Sequence, residues 1–266
     1  MTIRTEILTL MAAAMLCGAC GEEESSHITF QTVAADKTVR LSNDDVPPPW
    51  SVNLRLAEAT ETSGHRGEVL NETVMNRLLD RVEVSMQVAA DAFAEDYTQT
   101  YLKTMLPLYN QDRADTTKRA WYEYHYIISA TTQLGSKGVL AYLANIDRYE
   151  GGANGTRQLV AMNFEEATGR LITLNDVFLA DVEKPLSALL LKALKAKTGL
   201  ATLKALRGAG YLRGMDIYPP DNFILGTETV TFVYNPDEIA PFDLGSTELT
   251  LTYEEMRQLL NPSFQY

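Results

Sequence analysis

Trp121-Tyr122-Glu123-Tyr124-His125-Tyr126-Ile127-Ile128 is the stretch on which the reading of this chain turns. Its period is two. Tyr122, Tyr124, Tyr126 and Ile128 face one way, and Trp121, Glu123, His125 and Ile127 the other, as in a strand with one face on a core. Gly135-Ser136-Lys137-Gly138 then reads as a hairpin connection. Val139 to Glu150 is a second strand, with Leu140, Tyr142 and Ile146 on one side. Gly151-Gly152-Ala153-Asn154-Gly155 is a turn, and Gln158 to Phe164 a third strand, closed by Thr168-Gly169. The spacing predicts a meander of three antiparallel strands.

Upstream, Ile28 to Leu41 is β-rich, and Ser51 to Ala57 alternates, with Val52, Leu54 and Leu56 on one face. Asn43 to Pro49 reads as a loop, since successive prolines fix φ and donate nothing. Gly64-His65-Arg66-Gly67 reads as a second break. Val74, Leu78, Val82, Met86, Ala89/Ala90, Phe93, Tyr97 and Tyr101 recur every three or four residues, the stripe of one long helix. Asn71 suits its N-cap, Pro107 its end, and Asn110 to Asp115 a polar connection. Downstream, Leu174 to Phe178 predicts a helical turn. Asp181 to about Leu206 predicts a helix, with Gly199 as a candidate interruption and Gly208-Ala209-Gly210 as its end. Phe223–Leu225, Thr229–Tyr234 and Thr247–Thr252 predict short strands after the Pro219–Asn222 turn. Tyr253 to Leu260 predicts a terminal helix with Glu254 and Glu255 in its first turn. The fold class expected is α+β: antiparallel sheets packed against a few helices, in two co-packed subdomains at 28–115 and 116–266.

Composition narrows the function. The chain has 266 residues, 45% hydrophobic, which suffices for a packed core and excludes wholesale disorder. Its net charge of −12 argues against nucleic acid, whose phosphates need Lys and Arg. Both cysteines, Cys17 and Cys20, lie at the N-terminus, so the body can hold no disulfide, thiolate metal site or Cys nucleophile.

The N-terminus reads as an address. Arg4 precedes an apolar run from Ile7 to Leu16, too short to span a bilayer and right for a signal peptide. Small residues directly before Cys20 resemble a bacterial lipobox, which implies a signal peptide at 1–19 and lipidation at Cys20. An acidic tether follows at 20–27; its Glu22-Glu23-Glu24 resembles tags that route lipoproteins of some Gram-negative bacteria to the outer surface. Removing residues 1–19 removes Arg4 and Glu6 and leaves the charge at −12. The expected location is the outer membrane, held by the N-terminal lipid only and facing the cell surface or the periplasm.

Two further stretches carry a family resemblance. One is Tyr149 to Gly155 followed by Asn163-Phe164-Glu165-Glu166-Ala167-Thr168-Gly169-Arg170-Leu171-Ile172-Thr173-Leu174-Asn175-Asp176-Val177-Phe178. The other is Phe232-Val233-Tyr234-Asn235-Pro236-Asp237-Glu238-Ile239-Ala240-Pro241-Phe242-Asp243-Leu244-Gly245, then Leu251-Thr252-Tyr253. Together they resemble the extracellular C-terminal domain of RsiV-type anti-sigma factors, found also beside the catalytic domain of PdaC-type peptidoglycan deacetylases. The segment before them is similar to the companion domain that often precedes it. Asn154 stands where many members have His, and Asp237 where many have Tyr. The resemblance implies a fold and an envelope setting, with protein binding (lysozyme in the RsiV branch) as a precedent. It transfers neither sigma-factor control nor deacetylation.

Catalytic motifs are missing. There is no Gly-x-Ser-x-Gly and no His-Glu-x-x-His, and the three histidines, His27, His65 and His125, are too few for an ordinary zinc site. Glu123 and His125 share a strand face and are the only candidates for a base and its orienting group. The aromatic face of the strand is expected to pack on helices. Asp115-Thr116-Thr117 resembles a short O-glycosylation signal. The function expected is a non-catalytic binding module for an envelope glycan or an external protein, without cofactor or metal. Its candidate contacts are Tyr149, Gly151, Gly152 and Asn154 in the turn, and Pro236, Asp237, Glu238, Pro241 and Phe242 in a proline-stiffened loop. The alternatives are an enzyme on cell-wall glycans and a structural subunit of an envelope complex.

Overall fold

A computed structural model describes residues 27–42, 49–135, 137–152 and 154–265. The expected signal peptide at 1–19, the expected lipidation site Cys20, nearly all of the segment at 20–27 and residues 43–48 lie outside the described residues. The chain is α+β, as the alternation of periods two and 3.6 predicts. Six strands form one sheet in the order β1 (Phe30–Arg40), β2 (Pro49–Ala59), β3 (Tyr124–Leu134), β4 (Val139–Glu150), β5 (Thr156–Glu165) and β6 (Leu171–Ile172). The expected three-stranded meander is its β3–β5 segment. Every pairing is antiparallel except β2 with β3, which run parallel with Trp50 opposite Tyr124 and Leu54 opposite Ile128. A parallel pair needs a crossover. Here the crossover carries α1 (Gly64–Leu79) and α2 (Met86–Asp112) across one face of the sheet. The sheet therefore runs continuously past position 115, and segments 28–115 and 116–266 share it.

The core on that face is aromatic. Trp50 stacks on Tyr97 and Tyr101, at centroid distances of 5.9 and 5.5 Å. Tyr126 meets Phe93 and Tyr97 edge-on, and Tyr124 leans on Tyr101. Tyr122, Tyr124, Tyr126 and Ile128 all point into this core, as their period predicts. Trp121 is left outside, 57% exposed, under the Lys118 ammonium.

Several expectations in this region are corrected. Gly64 to Gly67 is the first turn of α1 and not a break. The single long helix is two, because Asp80 adopts a left-handed conformation (φ 52°) and the chain restarts at Ser85, whose side chain accepts the Val88 N–H. Val82, counted in the stripe, is 54% exposed. Asn71 is not a cap: from inside α1 its amide accepts the Ala59 N–H and donates to the Ala59 carbonyl. Pro107 does not end α2, which runs on to Asp112. The carbonyl that proline leaves without its helical partner belongs to Lys103, an exposed residue, so its cost is small.

A second sheet packs on the other face. It is β7 (Phe223–Leu225), β8 (Thr229–Tyr234) and β9 (Thr247–Thr252), as expected residue for residue. Around it lie α3 (Leu174–Val177), α4 (Glu183–Thr198), α5 (Leu203–Gly208) and α6 (Tyr253–Met256). Gly199 caps α4 with φ 72°, so the interruption at Gly199 is real. The expected terminal helix is only α6 followed by 3-10 turns.

Asparagine amides join the two sheets. Asn163, 1% exposed, donates to the Phe223 carbonyl and accepts the Leu225 N–H, each at 2.8–2.9 Å, closing the edge of β7. Asn222 accepts the Ala161 N–H and donates to the Leu159 carbonyl, and Asn235 bonds the N–H and C=O of Leu159. These close the stretch of β5 that short β6 leaves uncovered. The start of the described chain is fixed by Glu166, whose 5%-exposed carboxylate accepts the Ile28 N–H and pairs with His27 Nδ1 at 3.1 Å.

Asn163→Ala leaves the Phe223 carbonyl and Leu225 N–H buried without partners, at roughly 1–3 kcal/mol each. Urea unfolding is expected to show a loss of about 2–5 kcal/mol, and Asn163→Asp a loss as well, since a carboxylate cannot donate to Phe223.

Candidate functional site

The outer face of β3, β4 and β5 is only partly covered by the second sheet. His125, Ile127 and Ser129 from β3, Asn145, Asp147 and Tyr149 from β4, and Arg157 and Leu159 from β5 share this face by register. Between it and Ser246–Glu248, where β9 begins, lies a groove of about 310 Å³. Ile127, Ser129, Asn145, Asp147, Arg157 and Leu159 line it from the sheet side.

Asp147 is the charged centre of this face. Its Oδ1 lies 3.0 Å from His125 Nε2 and its Oδ2 3.4 Å from Arg157 Nε. Both side chains of the His125–Asp147 pair are a little over one-third exposed, so the pair is open to a ligand. The Tyr149 ring tilts against the His125 ring at 5.9 Å, and its hydroxyl donates to the Gly152 carbonyl. The partner of His125 is thus Asp147 on the neighbouring strand, not Glu123, the residue the strand pattern offered. Hairpin register was the signal that finds it: a turn centred on 135–138 sets His125 opposite Tyr149 and diagonal to Asp147. Ser129, four strand positions from His125, lies about 13 Å along the chain, too far for a nucleophile–base pair.

The turn and the loop flank this groove without lining it. Gly151 (φ 76°) brings its backbone so close to Trp121 that a Cβ would sit 2.6 Å from the Trp121 carbonyl oxygen, so only glycine fits. Gly152 and Asn154 are exposed at the tip. On the other side, Asn235 is bonded to Leu159 and Ser246 lies in the groove wall, so both ends of the Pro236–Gly245 loop reach the β5 side. Between those ends the loop is internally bonded. The Asp237 N–H donates to the Ala240 carbonyl, with Asp237 at φ 70°, a left-handed conformation that Asp tolerates and Tyr does not favour. Pro241 packs on Gly210, where a Cβ would come within 3.2 Å of the proline ring, and Phe242 is half-buried. Glu238 is half-buried near Tyr218 and Tyr234, and burial holds its carboxyl above the ordinary 4.5 against hydrogen bonds from Asn235. Thr117, in the glycosylation-like triplet, spends its hydroxyl on Asp115. No cluster of three metal-ligating side chains exists among the described residues.

Residues 175–254 match a family model described as a protein of unknown function, DUF3298. The chain is similar to a crystallised DUF3298-family member from Bacteroides fragilis, at 27% identity and a TM-score of 0.82 over 89% of this chain and 96% of that one. It shares its fold with a DUF3298 family protein from Pseudomonas aeruginosa, at 14% identity and a TM-score of 0.63, with the same coverages. No curated protein matches the chain. The family resemblance thus holds at the level of a DUF3298 region and a DUF3298-type fold.

Glu238 yields a signed pH dependence. Its folded pKa lies above the unfolded one, so the native state binds the extra proton and stability falls as pH rises through the window above about 4.5. Glu238→Gln is expected to flatten that slope: at about pH 7 the variant unfolds at equal or higher urea, and near pH 4 the difference vanishes.

Proposed function

We propose that the chain is a cell-envelope lipoprotein whose body is a non-catalytic binding module, taking an envelope glycan in the groove beneath Ser246 and Glu248. The observation that carries this reading is the open array Tyr149–His125–Asp147–Arg157 on a rigid sheet. It offers a half-exposed ring, an acceptor and donors in one row, the mixture that polyhydroxylated ligands use. The RsiV-type resemblance supports the envelope setting, and the lipobox-like sequence before Cys20 supports lipidation. The His125–Asp147 pair at the groove's edge has no nucleophile within reach, since Ser129 lies about 13 Å along the strand, which favours binding over nucleophilic catalysis. Glu248 on the opposite wall is the carboxylate an enzyme reading would pair with Asp147.

Glu166 gives the module an orientation. The tether joins the fold at the sheet end formed by Gly138, Glu166 and Thr29, while the Gly151–Gly155 turn closes the opposite end of β4 and β5. With β4 twelve residues long, the two ends stand about 40 Å apart. The tether's entry point and the turn thus lie at opposite ends of the sheet, which supports a reading in which the turn faces away from a lipid on Cys20.

The full chain, purified in detergent, is to be tested against immobilised peptidoglycan fragments, outer-envelope polysaccharide and lysozyme. Retention on a glycan that falls about tenfold in Tyr149→Ala and Arg157→Ala is expected. Retention on lysozyme alone shifts the reading to a protein partner. New reducing ends that depend on Asp147 replace it with an enzyme. Separately, Cys20→Ala is expected to abolish metabolic labelling with a palmitate analogue, and labelling that persists defeats the anchor.

A further inference from the structure

β9 is the open edge of the second sheet, and the directions of its backbone groups follow from register. The Tyr253 N–H donates to the Glu228 carbonyl, so the pair 228–253 faces β8 with its hydrogen bonds. Alternation along the antiparallel ladder then turns the N–H and C=O of Thr252, Thr250 and Glu248 away from β8. Two contacts agree. The Thr252 N–H donates outward to Glu255, and the Val233 N–H, opposite Glu248, donates to Asn222 on the β7 side. Among the described residues, nothing bonds the outward groups of Glu248 and Thr250, and both residues are exposed.

Beside this edge runs α4. Its flank of Leu189, Lys192, Ala193, Ala196 and Lys197 faces Glu248 to Leu251 across a groove of about 360 Å³. Ala193 and Ala196, with their small side chains, leave that flank shallow. An unpaired strand edge beside a helix is the geometry of strand addition, in which main-chain bonds supply affinity and alternate side chains supply choice.

We propose that this groove takes an extended peptide segment of another protein as a fourth strand on β9. The peptide's main chain bonds Glu248 and Thr250. One face of it lays apolar side chains on Leu189, Ala193 and Ala196, and an acidic side chain reaches Lys197. Charge selects that acid. Lys197 makes no ion pair among the described residues, whereas Glu248 and Glu255 line the other lip and Glu255 already lies in the field of Lys192. Lys192 and Lys197 place two cations on the helix side of this groove, which favours an acidic residue at the Lys197 end. This site meets the groove under Ser246 at Glu248, which lines both, but its argument does not depend on the glycan reading.

The test is a titration of the full chain with an acetylated, amidated peptide, Thr-Val-Thr-Val-Glu-Val, followed by amide NMR and hydrogen exchange. Saturable shifts and slowed exchange at Glu248 and Thr250 are expected. Thr250→Pro removes the outward N–H, which β8 does not use, together with the hydroxyl contact to Thr231. It is expected to weaken binding about tenfold or more, against a Thr250→Val control that loses the hydroxyl alone and is expected to bind. Lys197→Glu is expected to weaken it severalfold, with the fold unchanged by circular dichroism. The same peptide N-methylated on alternate residues is expected not to bind. Absence of binding at millimolar peptide overturns the proposal, as does binding that Thr250→Pro and Lys197→Glu both leave intact. Protection of Glu248 and Thr250 without peptide, together with a dimer in sedimentation, assigns the edge to a second copy and overturns it equally.

Discussion

A buried primary amide is the constraint on which the two halves of this molecule depend. Asn163 leaves β5 sideways and presents to β7 one donor and one acceptor, which is what a neighbouring strand would present. Asn222 and Asn235 do the reverse, serving the bare edge of β5 from the second sheet. Two sheets with unpaired edges thus close on each other through side chains, and no ladder runs between them. A carboxylate in these places would lack the donor, and a hydroxyl would be too short to span both groups. Asn71 at Ala59 and Asn261 on the carbonyls of Asn175, Asp176 and Phe178 repeat the device at smaller junctions. Because these amides chiefly meet backbone, with Asn235 also reaching the Glu238 carboxylate, the joints depend mainly on chain path.

This arrangement explains what was legible in the sequence. The strands of the second sheet were, since each alternates and is bounded by proline, asparagine or glycine. The aromatic face of β3 was also legible, because only one orientation lets Tyr122, Tyr124 and Tyr126 share a side. The asparagines were not: a lone Asn in a strand pattern carries no sign of which edge it will serve. The break between α1 and α2 was masked because Val82 and Val84 continue an apolar pattern across a segment that folds outward, leaving Val84 94% exposed. Ser85 was the readable counter-signal. Pro107 misled in the opposite direction, because a missing hydrogen bond costs little at an exposed residue.

The candidate site was half legible for a related reason. Its landmarks, the glycine turn and the proline loop, are local and conspicuous. Its working face is assembled by register among β3, β4 and β5, each of which contributes every second residue. Asp147 is an ordinary strand residue until the hairpin sets it diagonal to His125. Glu123, nearer in sequence, sits at the mouth of β3, where the 3-10 turn at Thr116–Tyr122 hands over to the strand. The loop's proline and tyrosine neighbours make it a fixed wall and not a moving finger, as the Pro241–Gly210 contact and the bond from the Tyr234 hydroxyl to the Tyr218 carbonyl indicate.

Glu166 also decides how the body would carry a mechanical load. The chain enters at the Glu166 end of the sheet, and β1 runs from there along all of β2, with eleven residue pairs in register. A pull between the N-terminus and anything held at the Gly151–Gly155 end lies parallel to the strands. It therefore stresses the β1–β2 ladder in shear, so the bonds resist together instead of opening like a zip. Unfolding under such a pull is a question of rate, and the first contact to give is the carboxylate at Ile28, a fuse placed ahead of the sheet itself.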